Sequence, residues 1–124
     1  MTRQDLIDLC LTFPSVYEDY PYDKITASNP VTVMRHRGNK KIFVSIYMRQ
    51  GRLCAFMKCD PMEVDFLSGM YQDAEPGHKH WMYVYPGGDS PDSHISDVPA
   101  DELRRMIENS YDLTKPKARR NNAD

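Results

Sequence analysis

The sequence predicts an α+β domain, an antiparallel sheet with helices before and after it. Three observations predict this. Residues 31–59 hold three apolar and aromatic runs separated by short turns, helical apolar spacing appears near both ends, and Asp60-Pro61 supplies a helix start directly after the third run. The 124 residues, 40% of them apolar, suffice for one buried core. One domain is expected over residues 1–115, with 116–124 as a basic, disordered tail lacking an apolar anchor.

The first helix is predicted over Thr2 to Phe13. Thr2 and Asp5 form a capping-box-like pair, Leu6, Ile7, Leu9, Cys10, Leu11 and Phe13 give an apolar face, and Pro14 ends it. Residues 15–22 read as a connector carrying Tyr17, Tyr20 and Tyr22, too large and clustered to face solvent idly. Strands follow over Val31 to His36, Lys41 to Met48 and Arg52 to Cys59, joined by turns at Arg37-Gly38-Asn39 and Arg49-Gln50-Gly51. In the second helix Asp60 is the N-cap, Pro61 takes the first helical position and Glu63 closes a box, with Met62, Phe66, Leu67 and Met70 as its apolar face. Glu75-Pro76-Gly77 breaks the chain, and Trp81 to Tyr85 is a fourth strand. Residues 86–97 form a polar, mobile loop. Pro99 to Leu113 is the last helix, with Asp101 and Glu102 in its first turn and Leu103, Met106, Ile107, Ser110 and Tyr111 on one face.

Charge is unevenly distributed. Between Lys24 and Cys59 there is no Asp or Glu, while Lys24, Arg35, Arg37, Lys40, Lys41, Arg49, Arg52 and Lys58 are all cationic; all eighteen acids lie outside this stretch. An unquenched basic field suits a polyanion. Charge alone is better met by a solvated hairpin whose counter-charges come from the acidic flanks, and the net charge of −2 argues against strong, indiscriminate nucleic-acid binding. If the loop near Arg49-Gly51 has even length, Ile42, Val44 and Ile46 join Leu53, Ala55 and Met57 on a core face. Lys41, Arg52 and Lys58 then share the other face with Phe43, Tyr47 and Phe56, the mixture that phosphate contact and base stacking require. The alternative is that these aromatics are covered by the connector or a helix, and that is their expected fate. Trp81 is expected as a core anchor.

Several function classes find no support. No apolar run is long enough to span a membrane, and Met1-Thr2-Arg3 opens without a signal-like apolar stretch, so a cytoplasmic protein is expected. There is no Gly-rich phosphate loop, nucleophile elbow or Cys-x-x-Cys, so no enzyme is expected. Cys10, Cys54 and Cys59 sit in apolar company as small hydrophobes. His78 and His80 would share a face if extended, but two histidines without further ligands do not make a metal site, and neither metal nor cofactor is expected.

Five segments together resemble the MmcQ/YjbR-like family over Thr2 to about Lys115. They are Tyr17-Glu18-Asp19-Tyr20-Pro21, Thr32-Val33-Met34-Arg35-His36, Lys58-Cys59-Asp60-Pro61, His80-Trp81 and Ser110-Tyr111-Asp112-Leu113. The resemblance implies a CyaY-like, double-wing architecture with helices packed on one side of the antiparallel sheet, and it implies DNA binding. The stretch from Pro76-Gly77 to His80-Trp81 is shorter than the family pattern, and the loop after Pro86 is longer. No motif-defined catalytic residue accompanies the resemblance.

The sequence therefore leads to a non-enzymatic DNA-binding protein, weak or nonspecific in sequence preference. Its phosphate contacts are expected from Arg35, Arg37, Lys40, Lys41, Arg49, Arg52 and Lys58, extended by Lys79 and His80. The alternative is a protein-interaction or small-ligand module with an aromatic groove built from the tyrosine connector, Glu18, Asp19 and His80-Trp81. A metal-binding role like that of frataxin-like proteins would need more acids on the first helix than Asp5 and Asp8.

Overall fold

Thr2 starts the first helix, α1 (Arg3–Leu11): its hydroxyl accepts the Asp5 amide at 3.1 Å, and the Asp5 carboxylate accepts the Thr2 amide at 2.9 Å. This reciprocal box satisfies amides that a helix start leaves unpaired. The structure, a computed structural model, describes residues 1–22, 30–87 and 96–117. Lys24, most of the expected polar loop and the tail beyond Lys117 lie outside the described residues.

The sheet has six antiparallel strands: β1 (Val16–Asp19), β2 (Thr32–His36), β3 (Ile42–Arg49), β4 (Arg52–Lys58), β5 (Ala74–Pro76) and β6 (Trp81–Val84), in the order β1-β2-β3-β4-β6-β5. The expected α+β class is therefore correct. The turn between β3 and β4 has two residues, Gln50 and Gly51, both at positive φ (54° and 75°), the requirement of a tight hairpin turn that matches strand twist. Its even length pairs Ile46 with Ala55 and Val44 with Met57, so the expected aliphatic face forms except at Ile42.

One residue departs from the expected alternation. Met34 pairs with Val44, but Arg35 pairs with Ile42, so Phe43 is the extra residue of a β-bulge. Phe43 thereby turns into the core, fully buried, with its ring against Phe13, His36 and Tyr111. Ile42 takes the opposite face. Ser110 secures the irregularity, because its hydroxyl donates to the Phe43 carbonyl at 2.7 Å and accepts the Lys58 amide at 3.0 Å.

The helices lie on one face of the sheet. Leu6, Ile7 and Cys10 of α1, Leu67 of α2 (Val64–Met70) and Leu103, Met106 and Ile107 of α3 (Ala100–Thr114) join Met34, Val44, Ile46, Leu53, Ala55, Met57, Met82 and Val84 in one buried cluster. Two short strands went unread in the sequence. β1 occupies part of the tyrosine connector at one sheet edge, leaving Tyr20 and Tyr22 exposed. β5 includes Pro76, tolerated because an edge strand needs no outward amide. The second helix starts later than expected: the Asp60 carboxylate accepts the Met62 amide at 2.9 Å within a preceding turn, and Glu63 occupies the N-cap with its carboxylate turned to Arg105 instead of capping the helix. Of its expected apolar face only Leu67 is buried, while Met62, Phe66 and Met70 are exposed.

Packing continues past residue 115. A Cβ on Gly38 would lie 2.7 Å from Pro116 Cγ, so the β2–β3 turn and Pro116 meet at a distance only glycine allows. Nearby, His36 is buried with Nε2 2.8 Å from the Thr114 hydroxyl, which itself donates to the Ser110 carbonyl at 2.7 Å. That hydroxyl has one proton and gives it to the Ser110 carbonyl, so His36 Nε2 is the donor in this bond. Burial, with the Lys115 cation beside it, holds the His36 pKa below its ordinary 6.5.

Two predictions follow from this packing. Ser110→Ala orphans two buried backbone groups and is expected to cost on the order of 2–4 kcal/mol in urea unfolding; a change below about 0.5 kcal/mol would contradict the clip. Because the folded pKa of His36 is depressed, its contribution is fully present above about pH 6.5 and is lost as pH falls below that value. The melting temperature is expected to drop on acidification through that window, and His36→Gln to flatten the drop; an equal pH slope in the variant would refute the assignment.

Candidate functional site

The strand pairings put Arg35, Ile42, Ser45, Phe56, Lys58 and Trp81 on the sheet face opposite the main core cluster. There they line a groove of about 580 Å³, joined by Lys40 and Lys41 from the β2–β3 turn, His78 and Lys79 from the turn before β6, and Leu113 and Thr114 from the end of α3. The groove brings together five of the nine expected contact residues: Arg35, Lys40, Lys41, Lys58 and Lys79. Among the described residues no carboxylate lines it. Arg35 is paired with Asp19 at 2.9 Å, whereas Lys40, Lys41, Lys58 and Lys79 have no ion-pair partner among the described residues.

The other expected residues lie elsewhere. Arg49 and Arg52 face each other across the far end of the β3–β4 hairpin, a like-charge pairing that would repel. They are instead neutralised: Arg49 pairs with Glu75 at 3.2 Å and stacks 3.8 Å over Tyr83, and Arg52 pairs with buried Asp73 at 2.9 Å and lies over Tyr85. Arg49 also bonds the Tyr85 hydroxyl. Arg37 is exposed with its guanidinium 5.4 Å from the Tyr17 ring, away from the groove. His80 is exposed and contributes its carbonyl, which accepts the Cys59 amide at 2.7 Å. The aromatic groove imagined from Glu18, Asp19 and the tyrosine connector does not form with Trp81, because β1 and β6 are separated by three strands.

The floor is aromatic. Phe56 stacks on Trp81, with centroids 5.2 Å apart and planes 24° apart, and packs against Tyr83 at 4.6 Å. Trp81 is thus a half-buried groove residue rather than a core anchor. Gly77 makes this row possible: a Cβ there would lie 2.7 Å from the Trp81 carbonyl oxygen, 3.0 Å from Phe56 and 3.1 Å from Tyr83.

Two rim lysines sit in strained backbone. Lys40 (φ 60°) and Lys79 (φ 53°, ψ 47°) are left-handed non-glycine residues, as is His80 (φ 66°). Such conformations cost about 1–2 kcal/mol each and persist where surrounding bonds enforce them. Arg35 donates to the Lys40 carbonyl at 2.8 Å, and the Lys40 amide donates to the His36 carbonyl at 2.8 Å. The Gly77 amide closes the second turn onto the Trp81 carbonyl at 2.6 Å. The same turn rules out the extended geometry that would align His78 and His80. Among the described residues no group of three or more His, Cys, Asp or Glu could hold a metal. Burial pushes the thiols up, Cys10 and Cys54 to about 12 and Cys59 to about 11, so none is a ready nucleophile.

Sequence reading missed the groove's non-cationic lining. Ile42 was assigned to the core because the bulge leaves no Gly or Pro signal. Ser45 and Phe56 were on the correct face by parity, and their proximity to Trp81 required knowing that β6 pairs with β4.

Fold and groove together define a small α+β protein with a cationic, aromatic concavity on one sheet face. The YjbR family profile matches residues 11–113, and the chain belongs to that family. No curated protein matches the chain. Among the described residues no helix is long and apolar enough to cross a membrane.

Gly77→Ala forces its Cβ against backbone and two rings and is expected to destabilise by about 1–3 kcal/mol, with a changed Trp81 emission spectrum. An unchanged spectrum and melting temperature would mean that the aromatic row does not depend on this close approach.

Proposed function

We propose that this chain binds nucleic acid through phosphate contacts from Arg35, Lys40, Lys41, Lys58 and Lys79, and catalyses no reaction. The observation that carries this reading is the convergence of cations from four separate segments on one concavity that no carboxylate lines among the described residues. Ammonium groups without local counter-ions keep their field available to an incoming polyanion. The cations at the hairpin tip, satisfied by Glu75 and Asp73, serve stability. Raised thiol pKa values argue against a cysteine nucleophile. Family membership is compatible with a binding role.

Contacts to phosphate carry no sequence information, so affinity is nonspecific and salt-dependent. Five phosphate contacts give a slope of log affinity on log salt of about −3.5 to −4.5. Fluorescence anisotropy with labelled oligonucleotides at several salt concentrations tests this. Lys40→Glu combined with Lys41→Glu is expected to weaken binding to all sequences alike and to flatten the slope by about two. Arg49→Gln is expected to lower the melting temperature and leave affinity intact. Unchanged affinity in the double reversal, or an equal loss in Arg49→Gln, would overturn the assignment of the groove.

A further inference from the structure

Resting on that reading of the groove as a nucleic-acid site, we propose that it selects single-stranded over double-stranded nucleic acid by stacking an unpaired base against Trp81 and Phe56. Lys40, Lys41, Lys58 and Lys79 border a recessed aromatic surface rather than a flat or protruding stripe. A duplex offers a convex cylinder of phosphates whose base faces are hidden in its own stack, so it meets the rim and leaves the aromatic floor unused. A single strand exposes a π-face on every base and can place one in the recess while its flanking phosphates reach the lysines.

The floor is preformed. Phe56 and Trp81 already stack with each other, Tyr83 supports Phe56 from β6, and Arg49 lies on Tyr83, so binding a base adds a layer to an existing stack. Ser45 lies directly across the β3–β4 ladder from Phe56, and its hydroxyl makes no hydrogen bond among the described residues. It offers one donor and one acceptor beside the stacking surface. His78 adds an imidazole at the rim. A core aromatic would need neither a hydroxyl nor an imidazole beside it. A site for bare phosphate would need no aromatic floor.

The test compares three labelled probes of equal phosphate number by fluorescence anisotropy at one salt concentration: a single strand, a duplex of half its length, and a single strand of abasic units. Trp81 is the single tryptophan, so its intrinsic emission reports the floor directly. The single strand is expected to bind on the order of tenfold tighter than the duplex or the abasic strand. It should also quench Trp81, and the abasic strand should not. Trp81→Ala should reduce the single strand to the abasic level while salt-dependent binding persists, and Trp81→Phe should retain part of the preference. If Trp81→Ala fails to fold, the comparison of probes on the unaltered protein decides alone. Equal affinity for all three probes without quenching overturns this inference and leaves phosphate binding standing. No binding of any probe overturns both. Running the single strand as DNA and as RNA distinguishes which of the two backbones the rim prefers.

Discussion

The extra residue at Phe43 is the constraint on which the rest of the structure depends. A strand that alternated without interruption would put Phe43 beside Lys41 on the groove face and Ile42 in the core. The bulge reverses both. Phe43 fills the space between Phe13, Tyr111 of α3 and His36, and Ile42 becomes part of the groove. Because a bulge leaves its extra residue outside the ladder, the Phe43 carbonyl needs another partner. Ser110 supplies it and in the same stroke holds the Lys58 amide, so the last helix is fastened to the sheet directly behind a groove lysine. Core packing, helix docking and the position of one rim cation thus rest on one irregularity and one hydroxyl.

The charge distribution resolves into two populations with different physics. At the tip of the β3–β4 hairpin, Arg49 and Arg52 stand across from each other and are stable there because Glu75 and Asp73 return from the following segment, with Tyr83 and Tyr85 beneath the guanidiniums. Arginine suits that role, since its planar fork both pairs and stacks. At the base of the hairpin the cations are mostly lysines, compact charges on flexible stems, without carboxylate partners among the described residues and in two cases carried on left-handed backbone. Arg35 is the intermediate case: its pairing with Asp19 positions it, and its bond to the Lys40 carbonyl fixes the turn that presents the neighbouring lysine.

Much of this was legible in the chain. The three central strands, the parity of the Gln50-Gly51 turn and the Thr2–Asp5 capping box follow from local chemistry, and the structure reproduces them. What was not legible depends on contacts between distant residues. A bulge without glycine leaves no mark in the pattern. β1 and β5 are short edge strands, the latter containing a proline, and each is defined only by its neighbour. The acid-free stretch from Lys24 to Cys59 suggested one continuous basic hairpin, yet the acids that quench its tip, Asp73 and Glu75, come from beyond it in sequence. Trp81 looked like a core anchor because a lone tryptophan gives no sign of which face it will occupy. Only the β4–β6 pairing sets it beside Phe56 and Lys58.

The central claim is that the base of the hairpin, and not its tip, is the binding surface. The most direct measurement is a residue-resolved NMR titration of the protein with a short oligonucleotide at low salt. The account predicts amide and side-chain shift changes concentrated at Lys40, Lys41, Ser45, Phe56, Lys58, Lys79 and Trp81, with Arg49, Arg52 and Arg37 unaffected. Changes centred on Arg49 and Arg52, or no changes at any residue, would contradict it.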